Sequence, residues 1–308
     1  MTPHRAALAL LAITGTGTGC AVSPGGGAGL DETEQAASTA YVNIMDFGAT
    51  DQGAYYDLVQ TLDAEYAALD ATHTPLTFYC SVSSKEGSVK DCAWTFAASQ
   101  FGVDGKTAAI AFDVPTFQCH IHPKTTAPKL LALLEGSSDA LHEVLPGTTS
   151  IYDALADCFA HPIGATPLPA PSAATTYVDA SAYYATAANQ AKWTAARATL
   201  VAGFDDVCGD TFCSGDFTDL ASLQIACAVT KSSGNVKGCA WSFAGSYTTI
   251  ASSGDLALVS RAWTCPVAVS GTLAQLIAAL TATSTDDGVH RVLPGGMDAY
   301  DQIAACLP

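Results

Sequence analysis

The chain has 308 residues, with 12 Lys or Arg against 29 Asp or Glu, and a formal net charge of −17. Hydrophobic residues make up 49% and charged residues 13%, which excludes a charge-rich disordered chain over most of the length and leaves room for two packed domains. No run of Lys or Arg exists that could track phosphates, so the composition argues against nucleic acid and against an anionic membrane surface, and admits a basic protein, a cationic ligand or a divalent metal.

In chain order, the first feature is a targeting segment. His4 and Arg5 precede an apolar run, Ala6 to Ile13, that is too short to span a bilayer. Small residues then lead to Cys20, in a pattern that resembles a bacterial lipobox, although Gly17 stands where the pattern has an aliphatic residue. Residues 1–20 are therefore expected to be a signal peptide with lipidation at Cys20, and residues 21–40, rich in Gly, Ala and Ser, a flexible tether. The expected location is the bacterial outer membrane or cell surface as a lipoprotein, otherwise the periplasm or the medium. Eleven cysteines become ten without Cys20, an even number that suits an exported, disulfide-bonded protein.

The rest of the chain repeats itself. The segment Cys92-Ala93-Trp94-Thr95-Phe96 returns as Cys239-Ala240-Trp241-Ser242-Phe243, and Cys80 returns as Cys227. His142, the run Val144-Leu145-Pro146-Gly147, Tyr152, Asp153 and Cys158 return as His290, Val292-Leu293-Pro294-Gly295, Tyr300, Asp301 and Cys306. The expected fold is a tandem duplication of one disulfide-stapled α+β unit, over 41–160 and 177–308, joined by a Pro-rich linker at 161–176. Each unit is expected to hold a helix, a three-stranded antiparallel sheet and two C-terminal helices. Asp51 and Asn189 cap the first helices, in which Tyr55, Leu58, Leu62 and Tyr66, or Trp193, Ala196, Leu200 and Phe204, fall at helical spacing. A hairpin follows over 78–97, with a third strand within 108–119, or 256–267 in the second unit. Helices over 127–134 and 151–159 close the first unit. Trp94 and Trp241 are expected in the cores.

Cys80 and Cys92 lie equally far from Glu86 and face each other across the hairpin, as do Cys227 and Cys239. A loop of that length contributes about 3 kcal/mol when closed. Cys119 with Cys158, and Cys265 with Cys306, would tie the last helix to the sheet, leaving Cys208 with Cys213 to close a small loop.

Two places could carry chemistry. One is an insertion near Cys208, where Asp205, Asp206, Asp210, Asp216 and Asp219 could offer oxygens to Ca²⁺, although no Glu closes an EF-hand spacing; the same loop also reads as a protein contact or a stiffened turn. The other is His120 and His122, which share one face of a strand and form a half-site for Zn²⁺ or Cu²⁺. The second unit has Pro266 and Ala268 there. His142 and His290 read as structural, each donating to a carbonyl of its Pro-Gly turn, with catalytic pairing to Asp153 or Asp301 as the competing reading. No nucleophile elbow, zincin motif, phosphate loop or dinucleotide fingerprint is present, and no cofactor is implied.

The plan of two tandem disulfide-stapled α/β units is similar to some secreted inhibitors of hydrolases, including a bacterial inhibitor of β-lactamases. With no catalytic pattern present, the expected function is a non-catalytic binding or envelope protein acting on a protein or an envelope component, touching the membrane only through its lipid. A secreted or periplasmic enzyme inhibitor and a metal-dependent hydrolase are the alternatives.

Overall fold

A computed structural model describes residues 40–170, 174, 176–208, 217, 219–282 and 288–307. It is a mixed α+β protein with antiparallel sheets and, among the described residues, four disulfides with both cysteines placed. In the N-terminal half, β1 (Tyr41–Asn43) leads into α1 (Gln52–Leu69), the hairpin β2 (His73–Ser83) and β3 (Val89–Ala98), a short ribbon β4 (Gln100–Val103) and β5 (Ile110–Asp113), then β6 (Thr116–Ile121), α2 (Ala127–Glu135) and α3 (Ile151–Cys158). The C-terminal half holds β7 (Tyr177–Asp179), α4 (Ala180–Tyr183), α5 (Ala187–Val207), β8 (Ala221–Thr230), β9 (Asn235–Ile250), β10 (Leu256–Val267), β11 (Gly271–Thr272), α6 (Leu273–Thr281) and α7 (Ala299–Ala304).

Local chemistry sets these elements. The Asp51 side chain accepts from the Ala54 amide and starts α1, and Tyr55, Leu58, Leu62 and Tyr66 form its buried stripe. Thr272 and Gln275 make a reciprocal capping box at α6. Disulfides Cys80–Cys92 and Cys227–Cys239 cross the two hairpins, while Cys119–Cys158 and Cys265–Cys306 fasten α3 to β6 and tie residue 306, just past α7, to β10. Cys208 is also disulfide-bonded, and the expected partner Cys213 lies outside the described residues.

Three expectations need correction. Each main sheet has more than three strands: the orders are β1-β2-β3-β6 and β10-β9-β8-β7, because a three-residue segment ahead of each helix pairs with the hairpin. The expected third strand of the N-terminal half is broken at Pro115, so β5 pairs with β4 in a separate ribbon and only β6 joins β3. α5 starts earlier than Asn189; Thr186 caps it by accepting from the Asn189 amide.

The two sheets meet face to face, with their helices on the outside. Alternation along β3 sends Cys92, Trp94 and Phe96 to the helix side, where Tyr66 lies 5.8 Å from Trp94 and 4.9 Å from Phe96 between ring centroids. Along β9, Cys239, Trp241 and Phe243 do the same beneath Phe204. The opposite faces carry Ala93, Thr95 and Ala97, and Ala240, Ser242 and Ala244, all buried. Small side chains let the sheets approach, and their hydroxyls pair across the junction: Thr95 Oγ1 with Ser246 Oγ at 2.7 Å and Ser99 Oγ with Ser242 Oγ at 2.9 Å. Gln118 Nε2 donates to the Leu258 carbonyl at 3.2 Å. Polar groups buried in this way keep their hydrogen bonds, which offsets the cost of taking them out of water.

Each half also reaches over the other. The turn between β9 and β10 lies on β1 and β2, where Ser81 Oγ donates to the Gly254 carbonyl. The turn between β4 and β5 lies against the start of β7, where the Gly105 carbonyl accepts from the Thr176 and Tyr177 amides, each at 3.0 Å. Both turns need glycine. A Cβ on Gly254, whose φ is +88°, would sit 2.7 Å from Tyr41, and one on Gly105 would overlap the Ala174 carbonyl.

Candidate functional site

β6 holds His120 opposite Ala93 of β3, on the face turned toward the other half. Asp91, two residues earlier on β3, shares that face and has a side chain only 2% exposed. His120 Nδ1 lies 3.0 Å from Asp91 Oδ2, and His122 Nδ1 lies 3.3 Å from Asp91 Oδ1. The Leu256 amide, at the start of β10, donates to Asp91 Oδ2 at 3.0 Å. Beside it, Lys90 Nζ lies 3.4 Å from Asp255. One buried carboxylate thus gathers two imidazoles from its own sheet and a backbone N–H from the other.

The hydrogen bond to Asp91 pushes the His120 pKa up, against the opposing effect of burial, with the charges of Asp91 and Asp255 adding to the rise. The arrangement favours an imidazolium at His120 and holds the β9–β10 turn in place. Among the described residues, no group of three or more His, Cys, Asp or Glu side chains is placed to hold a metal ion. Asp91 was not singled out from the sequence. The signal was there: Gly238 stands 147 positions after Asp91, as Pro266 and Ala268 stand 146 after His120 and His122, so all three differ where the neighbouring Cys and Trp are alike.

The acidic set near Cys208 divides. Asp205 and Asp206 lie on α5 itself rather than in a loop, and burial, then Asp206, pushes the Asp205 carboxyl up. Asp210 and Asp216 lie outside the described residues. Asp219 turns inward: its carboxylate accepts from the Ser246 amide at 2.7 Å, from Ser246 Oγ at 2.5 Å and from Thr77 Oγ1 of the other half. Asp219 and Asp91 are therefore counterparts in role, each a carboxylate from one half fastening the other.

His142 corrects the expectation of a bond to its Pro-Gly turn. Its Nδ1 is 2.9 Å from Asp139 Oδ1, and its ring lies 4.4 Å from that of Tyr152. Asp153 accepts from Ser150 Oγ at 2.8 Å at the start of α3, so it does not orient His142. His290 and Tyr300 repeat the ring contact, also at 4.4 Å. Trp94 and Trp241 are fully buried in their cores.

Four disulfides are compatible with an extracellular or periplasmic location. Among the described residues, no helix is long and apolar enough to cross a membrane. The chain matches no protein-family model, no curated protein and no solved structure.

Proposed function

We propose that the chain is an exported, lipid-anchored, non-catalytic binding protein of the bacterial envelope, built by tandem duplication of one α+β unit. The duplicated units are 41–160 and 177–308, joined through 161–176, with residues 1–20 as signal, Cys20 as the lipidated residue and 21–40 as the tether. Its partner is a protein or an envelope component, not a nucleic acid. The observation that carries the non-catalytic reading is the use made of its inward polar groups. Asp91 is spent on His120, His122 and Leu256, and Asp219 on Ser246 and Thr77, so both carboxylates are committed to joining the halves. A carboxylate with its lone pairs so occupied is a poor base or nucleophile.

The anchor is tested by detergent phase partition of the protein from a bacterial host, with intact mass of the N-terminal peptide. Wild type is expected in the detergent phase with a diacylated Cys20, and Cys20→Ala in the aqueous phase. Unmodified wild type in the aqueous phase overturns lipid anchoring.

A second reading is a metal-dependent hydrolase that uses His120 and His122, both of which approach Asp91 through Nδ1 without forming a three-ligand group in this arrangement. Zn²⁺ is the metal that suits two imidazoles and a carboxylate. Native mass spectrometry separates the readings, since stoichiometric Zn²⁺ lost in His120→Ala favours the hydrolase. Enzyme inhibition through the acidic 205–219 segment is the third reading. A Ca²⁺ dependence of the segment would show as a shift in Tm on chelation.

A further inference from the structure

Between α5 and the start of β8 lies an open groove of about 470 Å3, with Arg197, Val201 and Asp205 on one wall and Leu223, Gln224 and Ile225 on the other. Each wall contributes one buried polar atom with no hydrogen-bond partner: Arg197 Nε, a donor, and Gln224 Oε1, an acceptor. Native proteins rarely leave such atoms unpaired, so a donor and an acceptor on facing walls are available to a bound partner. Arg197 makes no ion pair with an acid among the described residues, although the chain carries far more acids than bases. Its guanidinium lies 6.0 Å from the ring centre of Trp193. The groove is otherwise largely apolar, and its size is that of a small-molecule site.

We propose that this groove binds a small organic acid: a monocarboxylate with an apolar body and an amide N–H or hydroxyl. The carboxylate pairs with Arg197, the apolar body lies on Val201, Leu223 and Ile225, and the N–H or O–H donates to Gln224 Oε1. Asp205 lines the same groove, and its carboxylate would repel a second anionic group there. The N-terminal half has no such pair: Val59 stands at the position matching Arg197, and Thr77, which matches Gln224, is already bonded to Asp219. The proposal deepens the binding reading above by naming a ligand class, and it does not depend on Cys20.

The test is a titration of the purified full-length chain with N-acetyl-leucine, followed by calorimetry and by amide shifts. Saturable binding is expected, with shifts confined to α5 and β8. Arg197→Gln and the methyl ester of the probe should each weaken binding about tenfold or more, as loss of a charge-assisted pair does. Gln224→Met should weaken it less, and Lys231→Gln not at all. Should Arg197→Gln fail to fold, the ester and the wild-type shift map decide. No saturable binding, which is also the outcome if the groove holds only water, overturns the proposal. So does an ester that binds as well as the acid, or a shift map centred elsewhere. Either failure leaves the anchoring reading standing, because that depends on the Cys20→Ala partition alone.

Discussion

Trp94 and Trp241 occupy matching places in the two halves, yet only one indole N–H has a partner. Trp241 Nε1 donates to Ser222 Oγ at 2.9 Å, whereas Trp94 Nε1 is buried and unpaired. The strand register explains it: Ser222 pairs with Phe243, two residues beyond Trp241, and Pro75 pairs with Phe96, two residues beyond Trp94. Proline fills the place of the hydroxyl and supplies none. The inward faces differ in the same manner, with Asp91, His120 and His122 in one half against Gly238, Pro266 and Ala268 in the other. The halves keep in common what packs the helices and differ in polar residues at particular points, so asymmetry is the place to look for specific roles.

The comparison breaks first at the disulfides. Cys119–Cys158 and Cys265–Cys306 span 39 and 41 residues, so removing either pair as a double Ser variant should cost about 4 kcal/mol on the chain-entropy account, and by nearly equal amounts. Urea unfolding checks this, and a loss confined to one half would show that the staples are not equivalent.

Asp91→Ala comes next. It strands the Leu256 amide and removes the partner of both imidazoles, at a cost of about 1–3 kcal/mol. The pH dependence has a definite sign. His120 has a raised pKa in the folded chain, so its contribution is fully present below the ordinary value near ~6.5 and is lost as pH rises through the raised one. Asp91, Asp255, Lys90 and His122 are the charged or titratable groups around it. The urea midpoint of wild type should therefore fall across that window, and His120→Gln should flatten the fall. A wild-type midpoint that rises over the same window contradicts the assignment.

Smaller effects sharpen the tryptophan comparison. Ser222→Ala should destabilise by about 1 kcal/mol, and Pro75→Ser should stabilise by about as much if the new hydroxyl reaches Trp94. The indole N–H shifts of the two residues, distinct in wild type, should converge in Pro75→Ser. The smallest change belongs to Asp63, whose carboxyl burial pushes up to about 6, while the matching position is Val201. A raised carboxyl pKa lowers stability as pH climbs from the ordinary value toward 6, so Asp63→Asn should raise the urea midpoint slightly at pH 7 and leave it unchanged at pH 4.

Much of each half was legible because the signals are local. Helical spacing marked α1, equal distances from Glu86 marked the Cys80–Cys92 hairpin, and matching sequence positions in the two halves suggested Cys119 with Cys158 and Cys265 with Cys306, as observed. The edge strands Tyr41–Asn43 and Tyr177–Asp179 escaped notice because three residues, one of them Asn or Asp, carry no periodicity. The junction between the sheets escaped for a related reason. Strands buried on both faces lose the alternation that marks one wet face, and Ala93-Trp94-Thr95-Phe96-Ala97 reads as a plain apolar run although its two faces meet different partners. The contacts that Asp91 and Asp219 make with the other half were beyond reach, since Leu256 and Thr77 sit 165 and 142 residues away.

The Gly254 turn has a consequence for how the chain matures. Its carbonyl meets Ser81 across 173 residues of sequence, and the Leu256 amide meets Asp91 across 165. A polypeptide that emerges N-terminus first therefore exposes the Ala93, Thr95 and Ala97 surface, and the Asp91 carboxylate, until nearly the whole of it has been delivered. Contacts this distant slow the search for the native state and leave sticky strands waiting. The first half is thus a client of its own C-terminal sequence: a nascent chain arrested before residue 254 should need a holdase, and the full chain, with α6 and α7 packed on the second core, should not.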